Sequence, residues 1–304
     1  MITALVSLAL VLAIVIWPFY RERLRPEMDD SLRGRAVGQF AELPAGTTHF
    51  QFLGPENGPL VVCVHGLTTP SFMWHAIAKS LADAGARVLI YDLYGRGYSA
   101  RPEGAQTTAF FVTQLTHLLD HVNARQHMTL LGYSMGARIA ANFAAQHPDR
   151  TDAIVMVAPA LSGIVENRFL ETVRRWRFFG RWLMLADYPR RFRSQMRRDA
   201  AAPQAIVDQQ IAQLDTKGYL PAIRSSLRHA LRHSAQGDIR RIARAGIPTL
   251  AIWAEDDAVI PRTTIGDLTE WYRDAQHTVV KGAGHGLPYT HPNAVADAII
   301  GQLD

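Results

Sequence analysis

The sequence predicts an α/β fold, in which a mostly parallel β-sheet is covered by helices on both faces and joined to an N-terminal transmembrane helix. Short apolar runs alternate with segments of helical periodicity, and this alternation predicts the sheet and its helical layers. The first twenty residues are almost uniformly apolar, which predicts the membrane helix. With 304 residues, 48% of them hydrophobic and 19% charged, the chain does not belong to the disordered, collagen-like or coiled-coil proteins.

The N-terminal stretch is a candidate membrane anchor. Residues 2 to 20 carry no charged side chain, and a helix of twenty residues covers about 30 Å, close to one hydrocarbon core. An aromatic run ends at Tyr20 and the basic residue Arg21 follows, as is typical of a membrane interface. A cleaved signal peptide would need basic residues before the apolar run, and none is present. We expect an uncleaved anchor over 1–20, the alternatives being a signal peptide and a buried soluble helix, and a juxtamembrane segment over 21–44.

The anchor also predicts a location and a partner. We expect a single-pass protein of the inner membrane that contacts the lipid bilayer. The basic flank favours a cytoplasmic catalytic domain, but large domains can be translocated regardless of charge, so the periplasmic face stays open. Small residues such as Ala9 and Ala13 have a spacing compatible with helix association, which allows a homodimer through the anchor.

The apolar runs and helical segments define the domains. The runs that predict strands lie at 60–64, 88–91, 129–131, 153–157, 249–253 and 278–280. The helical segments lie near 71–84, 107–124, 136–146, 263–274 and 292–302. The alternation stops over 161–245, where Arg, Leu, Trp and Phe recur at helical spacing. We therefore expect a core over 45–160 and 246–304, interrupted by a helical cap over 161–245.

Charge and cysteine content limit the function classes. The net charge is +5, but residues 161–245 hold 17 basic and 7 acidic side chains, a local excess of +10. Beside a membrane anchor, this excess favours a face that meets anionic lipid headgroups rather than nucleic acid, for which the sequence carries no motif. The single cysteine, Cys63, excludes an internal disulfide and a cysteine-based zinc site.

The motif Gly132-Tyr133-Ser134-Met135-Gly136 marks Ser134 as a candidate nucleophile. It follows a predicted strand and opens a predicted helix, which is the context of a sharp turn that exposes a serine hydroxyl. The alternative is a glycine-bracketed turn whose serine only caps the helix.

A serine nucleophile needs a base, an acid and donors for the developing oxyanion. His285, between Gly284 and Gly286 beyond the last predicted strand, is the candidate base. Asp256 and Asp257, at the exit of the preceding strand, are both candidates for the acid. The backbone N–H groups of Met135 and Leu67 are the expected oxyanion donors. His65 is expected to order the loop rather than to catalyse.

With these residues the chain resembles the α/β-hydrolase superfamily, from about residue 45 to the C-terminus. The resemblance rests on His65-Gly66, the segment 92–99, the turn at Ser134, the acid turn 254–261 and Gly284-His285, in the family's order. Aligning Pro261 with the family's G-x-x-D-x-x-x-P pattern places the acid at Asp257. Ala254 replaces the glycine of that pattern, so Asp256 stays the alternative. In this family the helical insertion is a cap over the active site.

The resemblance implies a serine hydrolase that needs no metal and no organic cofactor. Haloalkane dehalogenases and epoxide hydrolases of the family carry an aspartate where this chain has Ser134. The expected activity is ester hydrolysis on lipids, as in membrane-anchored lysophospholipases, phospholipases A and monoacylglycerol lipases. A hydrolase of small esters, carbon–carbon bonds or peracids is the first alternative, and a non-catalytic membrane receptor for lipid or protein is the second.

The aromatic residues of the cap suggest where an acyl chain binds. The candidate substrate-binding residues are Trp176, Phe179, Trp182 and Leu183. Two other interpretations stay open: a helix that dips into the membrane, and a cap helix that packs its apolar side on the core while its arginines face water.

Overall fold

The computed structural model describes residues 1–124, 127–165, 167–198 and 201–303. Its centre is a sheet with the strand order β1-β2-β4-β3-β5-β6-β7-β8. These strands are β1 Gln39–Leu43, β2 Gly46–Leu53, β3 Leu60–Val64, β4 Arg87–Tyr91, β5 Met128–Tyr133, β6 Thr151–Val157, β7 Thr249–Ala254 and β8 Gln276–Val280. Strand β2 pairs antiparallel with β1 and β4, whereas the pairs from β4 through β8 are parallel. The mostly parallel α/β sheet expected from the sequence is confirmed.

The helices of the described residues fall into two groups, those outside the expected cap segment and those within it. Those outside the cap are α1 Ile2–Leu24, α2 Asp30–Arg33, α3 His75–Asp83, α4 Thr108–His121, α5 Met135–Gln146, α12 Thr263–Trp271, α13 Leu287–Thr290 and α14 Pro292–Leu303. Those of the expected cap segment are α6 Arg168–Arg175, α7 Phe178–Ala186, α8 Tyr188–Arg198, α9 Gln204–Gln213, α10 Tyr219–Arg228 and α11 Gln236–Ala245. Short 3₁₀ turns precede α3 and β6.

The side chains of β3 show how the two faces of the sheet are covered. Val61 and Cys63 belong to a core cluster with α3 and α14, whereas Val62 belongs to the cluster with α4 and α5. Successive side chains of a strand point to opposite faces, so a strand that is buried on both faces reads as a continuous apolar run. The strands expected at 60–64 and 129–131 are of this kind, since β3 and β5 are buried along their whole length.

The structure differs from the expected boundaries at three places. The sheet begins at Gln39, inside the expected juxtamembrane segment, because β1 and β2 form an antiparallel hairpin at the edge of the sheet. Helix α1 continues to Leu24, four residues beyond the expected end of the anchor. Helix α11 lies in the segment expected as cap but packs on α5 and α12 of the core.

Helix α1 is long and apolar enough to span a bilayer, and almost all of it is exposed. A signal sequence or an apolar helix of a soluble protein meets the same criteria of length and composition. Within the described residues, the helix contacts the rest of the chain chiefly through α7.

A buried ion pair joins β2 to the loop after β4. The Nδ1 of His49 lies 2.8 Å from an oxygen of Asp92, and its Nε2 lies 2.9 Å from the carbonyl oxygen of Val37. Both ring nitrogens therefore face acceptors, an arrangement that favours the doubly protonated imidazolium. Burial lowers the pKa of His49, but the hydrogen bond and charge of Asp92 outweigh it, so the net pKa is raised. Burial opposes the charge of Asp92 as well, yet its hydrogen bonds and the imidazolium hold the pKa of Asp92 below its usual range.

We predict that His49→Gln destabilises the protein in a pH-dependent way. Glutamine can hydrogen-bond to Asp92 but carries no charge, so about 1.5–3 kcal/mol should be lost at low pH. Because the pKa of His49 is raised in the folded state, its contribution is fully present below the ordinary value of 6.5 and disappears as pH rises through the folded value. Thermal unfolding midpoints of both proteins in detergent should therefore converge at alkaline pH. A gap that stays constant with pH would contradict a charged His49.

Candidate active site

Ser134 lies on a strained turn between β5 and α5. Its backbone has φ +53° and ψ −115°, a conformation that L-residues rarely adopt. A Cβ on Gly132 would lie 2.4 Å from the Cα of Ala137, and one on Gly136 would lie 2.1 Å from the carbonyl oxygen of Val64. The two glycines are needed because the turn packs directly against neighbouring backbone.

The structure brings Ser134, His285 and Asp257 together, as the sequence predicts. The Oγ of Ser134 lies 3.0 Å from the Nε2 of His285, and the Nδ1 of His285 lies 2.9 Å from an oxygen of Asp257. These contacts join a turn after β5, a turn after β7 and a loop after β8, all at the carboxyl edge of the sheet. Residues that are far apart in sequence thus form one continuous hydrogen-bonded chain.

The geometry distinguishes the two candidate acids. Asp257 contacts His285, and its other oxygen accepts the N–H groups of Val259 at 2.8 Å and Ile260 at 2.9 Å. Burial raises the pKa of Asp257, but His285 and these N–H groups outweigh it and lower the pKa, so the carboxyl is ionised at neutral pH. Asp256 is exposed, and its N–H donates to the carbonyl oxygen of Ala283 at 2.9 Å. The expected assignment of the acid to Asp257 therefore fits the structure, and the alternative Asp256 does not.

The backbone donors expected at Leu67 and Met135 are placed beside the serine turn. Met135 is the first residue of α5, and the first N–H groups of a helix have no acceptor within the helix. Within the described ranges, the N–H groups of Met135 and Leu67 donate no hydrogen bond to a backbone oxygen. Leu67 and Ser134 line the same cavity. Both N–H groups are thus available to a bound oxygen.

Arg96 holds the carbonyl group of Leu67, in the peptide group that follows the donor N–H, a contact that sequence reasoning missed. The fully buried Arg96 donates from Nε to the carbonyl oxygen of Leu67 at 3.1 Å and from a terminal nitrogen to the hydroxyl of Ser226 on α10 at 2.7 Å. Burial lowers the pKa of Arg96 to about 9. Arg96 belongs to the segment 92–99 that the sequence analysis singled out, but no sequence spacing indicates that its side chain contacts Leu67.

Two further aromatic side chains order the site. His65 is fully buried, with Nδ1 donating to the carbonyl oxygen of Gly66 at 2.8 Å and Nε2 accepting the N–H of Leu93 at 2.9 Å. Burial lowers the pKa of His65 to about 4, so it is neutral and organises the loop, as expected. The hydroxyl of Tyr133 donates to the carbonyl oxygen of His285 at 3.0 Å, and the two rings lie 5.2 Å apart. Sequence reasoning did not find this role of Tyr133, although its place beside Ser134 was a signal.

Ser134 and His285 open into a cavity of about 510 Å³ beneath the cap. Its apolar wall is formed by Ile164, Leu170, Tyr188, Phe192, Met196, Leu227, Leu231 and Val259. Its polar wall includes Thr69 and Gln210, which are hydrogen-bonded to each other at 2.6 Å. In the part of the chain that the structure describes, no group of three or more His, Cys, Asp or Glu side chains is arranged to hold a metal ion.

The prediction of the substrate-binding residues is wrong, because Trp176, Phe179, Trp182 and Leu183 do not line the cavity. Trp176 is 61% exposed and Phe179 is 52% exposed, and Trp182 contacts α1. These residues miss the cavity because the apolar face of α7 packs against the N-terminal helix. Helices α8 and α10 supply side chains to the cavity instead.

A family profile described as the alpha/beta hydrolase fold matches residues 59–292. With more than half of the sequence covered, the chain belongs to this family. The match spans the serine turn, the acid turn and the histidine loop, and ends within α14.

Curated relatives within the family carry different names. A pimeloyl-[acyl-carrier protein] methyl ester esterase of Aeromonas salmonicida is 24% identical over 267 residues, which cover 80% of this chain and 94% of that protein. A haloalkane dehalogenase of Mycolicibacterium paratuberculosis is 32% identical over 144 residues, only 44% of each protein. The chain therefore matches less than half of the length of the dehalogenase.

Solved structures share the fold at low sequence identity. A bromoperoxidase from Bacillus anthracis has a TM-score of 0.75 and 21% identity, with 88% of this chain and 99% of that chain covered. A membrane phospholipase A described as a bacterial virulence factor has a TM-score of 0.73 and 18% identity, with 100% of this chain and 98% of that chain covered. The second likeness therefore extends over the N-terminal helix as well as the catalytic fold.

Proposed function

We propose that the protein is a membrane-anchored serine esterase that hydrolyses acyl esters of lipids, with lysophospholipids, phospholipids or monoacylglycerols as its substrate class. The observation that carries the proposal is the hydrogen-bonded chain from Ser134 through His285 to Asp257, beside two available backbone N–H groups. This arrangement supplies a nucleophile, a base, an orienting acid and oxyanion donors, the full set that acyl transfer to serine requires.

The first half-reaction forms an acyl-enzyme. His285 Nε2 accepts the proton of the Ser134 hydroxyl as Oγ attacks the ester carbonyl carbon. The carbonyl oxygen becomes an oxyanion and accepts the N–H groups of Leu67 and Met135, and Asp257 stabilises the imidazolium that forms. His285 then gives its proton to the leaving alcohol as the carbon–oxygen bond of the ester breaks.

The second half-reaction releases the acid. Water enters the position of the leaving alcohol, His285 takes its proton, and the resulting hydroxide attacks the acyl carbonyl carbon. The same two N–H groups hold the second oxyanion. Collapse breaks the bond to Ser134 Oγ, which recovers its proton from His285, and the carboxylic acid leaves.

The cavity and the N-terminal helix support a lipid as the substrate. An apolar wall beneath the cap suits an acyl chain, since each CH₂ transferred from water contributes about 0.8 kcal/mol. An apolar α1 would keep this cavity close to a bilayer. The likeness to a membrane phospholipase A over the whole chain supports the same substrate class. Dehalogenation is not proposed, because Ser134 stands where dehalogenases of the family carry aspartate.

The proposal includes the cellular setting expected from the sequence. Helix α1 is proposed as an uncleaved inner-membrane anchor, with the catalytic domain on either the cytoplasmic or the periplasmic face. Pairing of anchors into a homodimer through the small residues of α1 is part of the same proposal.

The decisive test compares the protein with Ser134→Ala on two measurements. A fluorophosphonate probe should label the unsubstituted protein at Ser134 and leave the variant unlabelled, because only an activated hydroxyl attacks the phosphorus. Mass spectrometry of a native lipid extract should then show loss of acyl-ester species and gain of free fatty acid with the active protein alone. Folded protein that the probe does not label would instead support the non-catalytic receptor.

The two neighbouring aspartates provide a matched pair. We expect Asp257→Asn to lower kcat by about 10⁴-fold, since the amide no longer stabilises the imidazolium or fixes its tautomer. Asp256→Asn should change kcat by less than about tenfold, because this exposed side chain does not contact His285. Initial rates on one soluble ester measure both. Equal losses, or a larger loss at Asp256, would refute the assignment of the acid.

Chain length should distinguish a lipid esterase from a small-ester hydrolase. We expect kcat/KM to rise from acetate to longer acyl esters, and Met196→Trp in the cavity wall to abolish that rise while hydrolysis of acetate persists. Phe179→Ala, outside the cavity, is the matched control and should leave the profile of soluble esters unchanged. A maximum at acetate or butyrate with no activity on lysophospholipid would favour the small-ester, carbon–carbon or peracid hydrolase.

A further inference from the structure

Three large, exposed aromatic side chains lie within four residues of sequence at the start of α7. Trp176 is 61% exposed, Phe178 62% and Phe179 52%, and we call these three residues the aromatic patch. An apolar patch left open to water usually marks an interaction surface. The catalytic cavity does not use it, since none of the three residues lines that cavity.

A proline in α1 explains why the cap contacts this helix at Ile14. The backbone nitrogen of Pro18 has no hydrogen, so the carbonyl oxygen of Ile14, four residues earlier, loses its partner within the helix. The indole N–H of Trp182 on α7 donates to that oxygen at 3.2 Å. A carbonyl oxygen without a hydrogen bond is unfavourable in hydrocarbon. The indole N–H of Trp182 therefore replaces the backbone N–H that Pro18 lacks.

Further contacts fix α1 against the cap on the C-terminal side of the Trp182 bond. The ring of Phe19 lies 5.6 Å from that of Phe178, and the guanidinium of Arg181 lies over Phe19 at 5.3 Å. One turn later, the carboxylate of Glu22 accepts the N–H of Gly218 at 2.8 Å. Helix α7 and the start of α10 therefore hold one defined stretch of α1.

The position of this stretch along α1 sets the depth of the patch. The apolar segment of α1 ends at Tyr20, and Arg21 follows. Ile14 lies six residues before Tyr20, which is about 9 Å along a helix axis. A side chain bonded to Ile14 therefore reaches past the aromatic end of the anchor, towards the level of the acyl chains.

Charge around the patch suits the same depth. Arg175, Arg177 and Arg181 alternate with the aromatic residues from the end of α6 into α7. Interfacial helices pair an apolar face in the acyl chains with Arg or Lys at the level of the headgroups, where guanidinium groups bind phosphate. The composition of the patch thus matches a lipid surface better than a protein partner.

We propose that α7 lies in the bilayer interface beside α1, with the aromatic patch among the upper acyl chains and its arginines on headgroup phosphates, held at that depth by the bond from Trp182 to Ile14. The inference rests on the proposed role of α1 as a membrane anchor. It goes further, because it gives the catalytic domain a second membrane contact and one fixed orientation towards the lipid.

Spin labels measure depth directly in the full chain. The native Cys63 is fully buried, so a cysteine introduced at an exposed position takes the label. We choose Trp176→Cys in the patch, Leu10→Cys in α1 and Val279→Cys on β8, which are 61%, 61% and 53% exposed. Vesicles of phosphatidylcholine and phosphatidylglycerol supply the bilayer. For each label, collision with oxygen reports lipid and collision with a water-soluble nickel chelate reports water.

The oxygen-to-nickel ratio at 176 should be several-fold higher than at 279 and below that at 10. A ratio at 176 equal to that at 279, with the label at 10 in lipid, overturns the inference but leaves the anchor intact. A water-exposed label at 10 shows instead that the proposed anchor has failed. Dipolar broadening between labels at 176 in neighbouring molecules, without broadening between labels at 10 in the paired anchors, assigns the patch to a second copy of the chain and also overturns the inference.

The bond to Ile14 has its own test in the labelled protein. Trp182→Phe keeps a ring but deletes the N–H, so the label at 176 should become several-fold more accessible to nickel. Pro18→Ala restores an N–H within α1, and in that background Trp182→Phe should have a smaller additional effect. Hydrolysis of a soluble short ester should be unchanged in all variants, which shows that they are folded. An unchanged depth in Trp182→Phe refutes the role of this bond.

Discussion

The backbone of Ser134 is the constraint on which the rest of the site depends. A turn with φ +53° is sustained only because its surroundings leave no alternative: Gly136 packs against β3 and Gly132 against the first turn of α5. Hydrogen bonds complete the support, since the N–H of Ser134 donates to Val157 on β6 and its carbonyl oxygen accepts the N–H of Ala160. Ser134 therefore takes its position from the most buried strands of the sheet, and its side chain, only 6% exposed, lines the cavity.

Buried charge organises the loops around that turn. Asp92 accepts the N–H groups of Ser71 and Tyr98 as well as His49, and so ties three segments to the end of β4. His49 faces two acceptors and its pKa is raised, whereas His65 donates once, accepts once and has its pKa lowered by burial. The pKa values of two buried histidines are thus shifted in opposite directions because their partners differ. The segment 92–99, which resembled a family motif, acts through these loops and not on the reacting atoms.

The sequence predicted those features that depend on neighbouring residues in the chain, and missed those that depend on contacts between distant residues. Strands buried on both faces read as apolar runs, so the central strands and the turn at Ser134 could be predicted, the latter from the steric demands of two glycines. Strands β1 and β2 could not, because buried polar residues such as Thr48 and His49 interrupt the apolar pattern of β2. Asp256 and Asp257 differ only in the direction of the side chain, which the sequence does not contain. Helical periodicity indicated that Trp182 packs against an apolar surface, but it did not identify helix α1 as that surface.

The cap links the N-terminal helix to the loop of Leu67 through one rigid element. Glu22 of α1 accepts the N–H of Gly218, directly before α10, and Ser226 near the end of α10 accepts a hydrogen bond from Arg96. Arg96 in turn donates to the carbonyl oxygen of Leu67. A packed helix of three turns transmits position without adjustable joints. The position of the Leu67 carbonyl group and that of α1 are therefore tied to the same helix, whereas the peptide group that carries the Leu67 N–H is held by His65 at the carbonyl oxygen of Gly66. In a membrane-anchored esterase, this arrangement would place the loop of Leu67 and the bilayer in one fixed relation, with α8 and α10 facing the cavity and α7 facing the lipid.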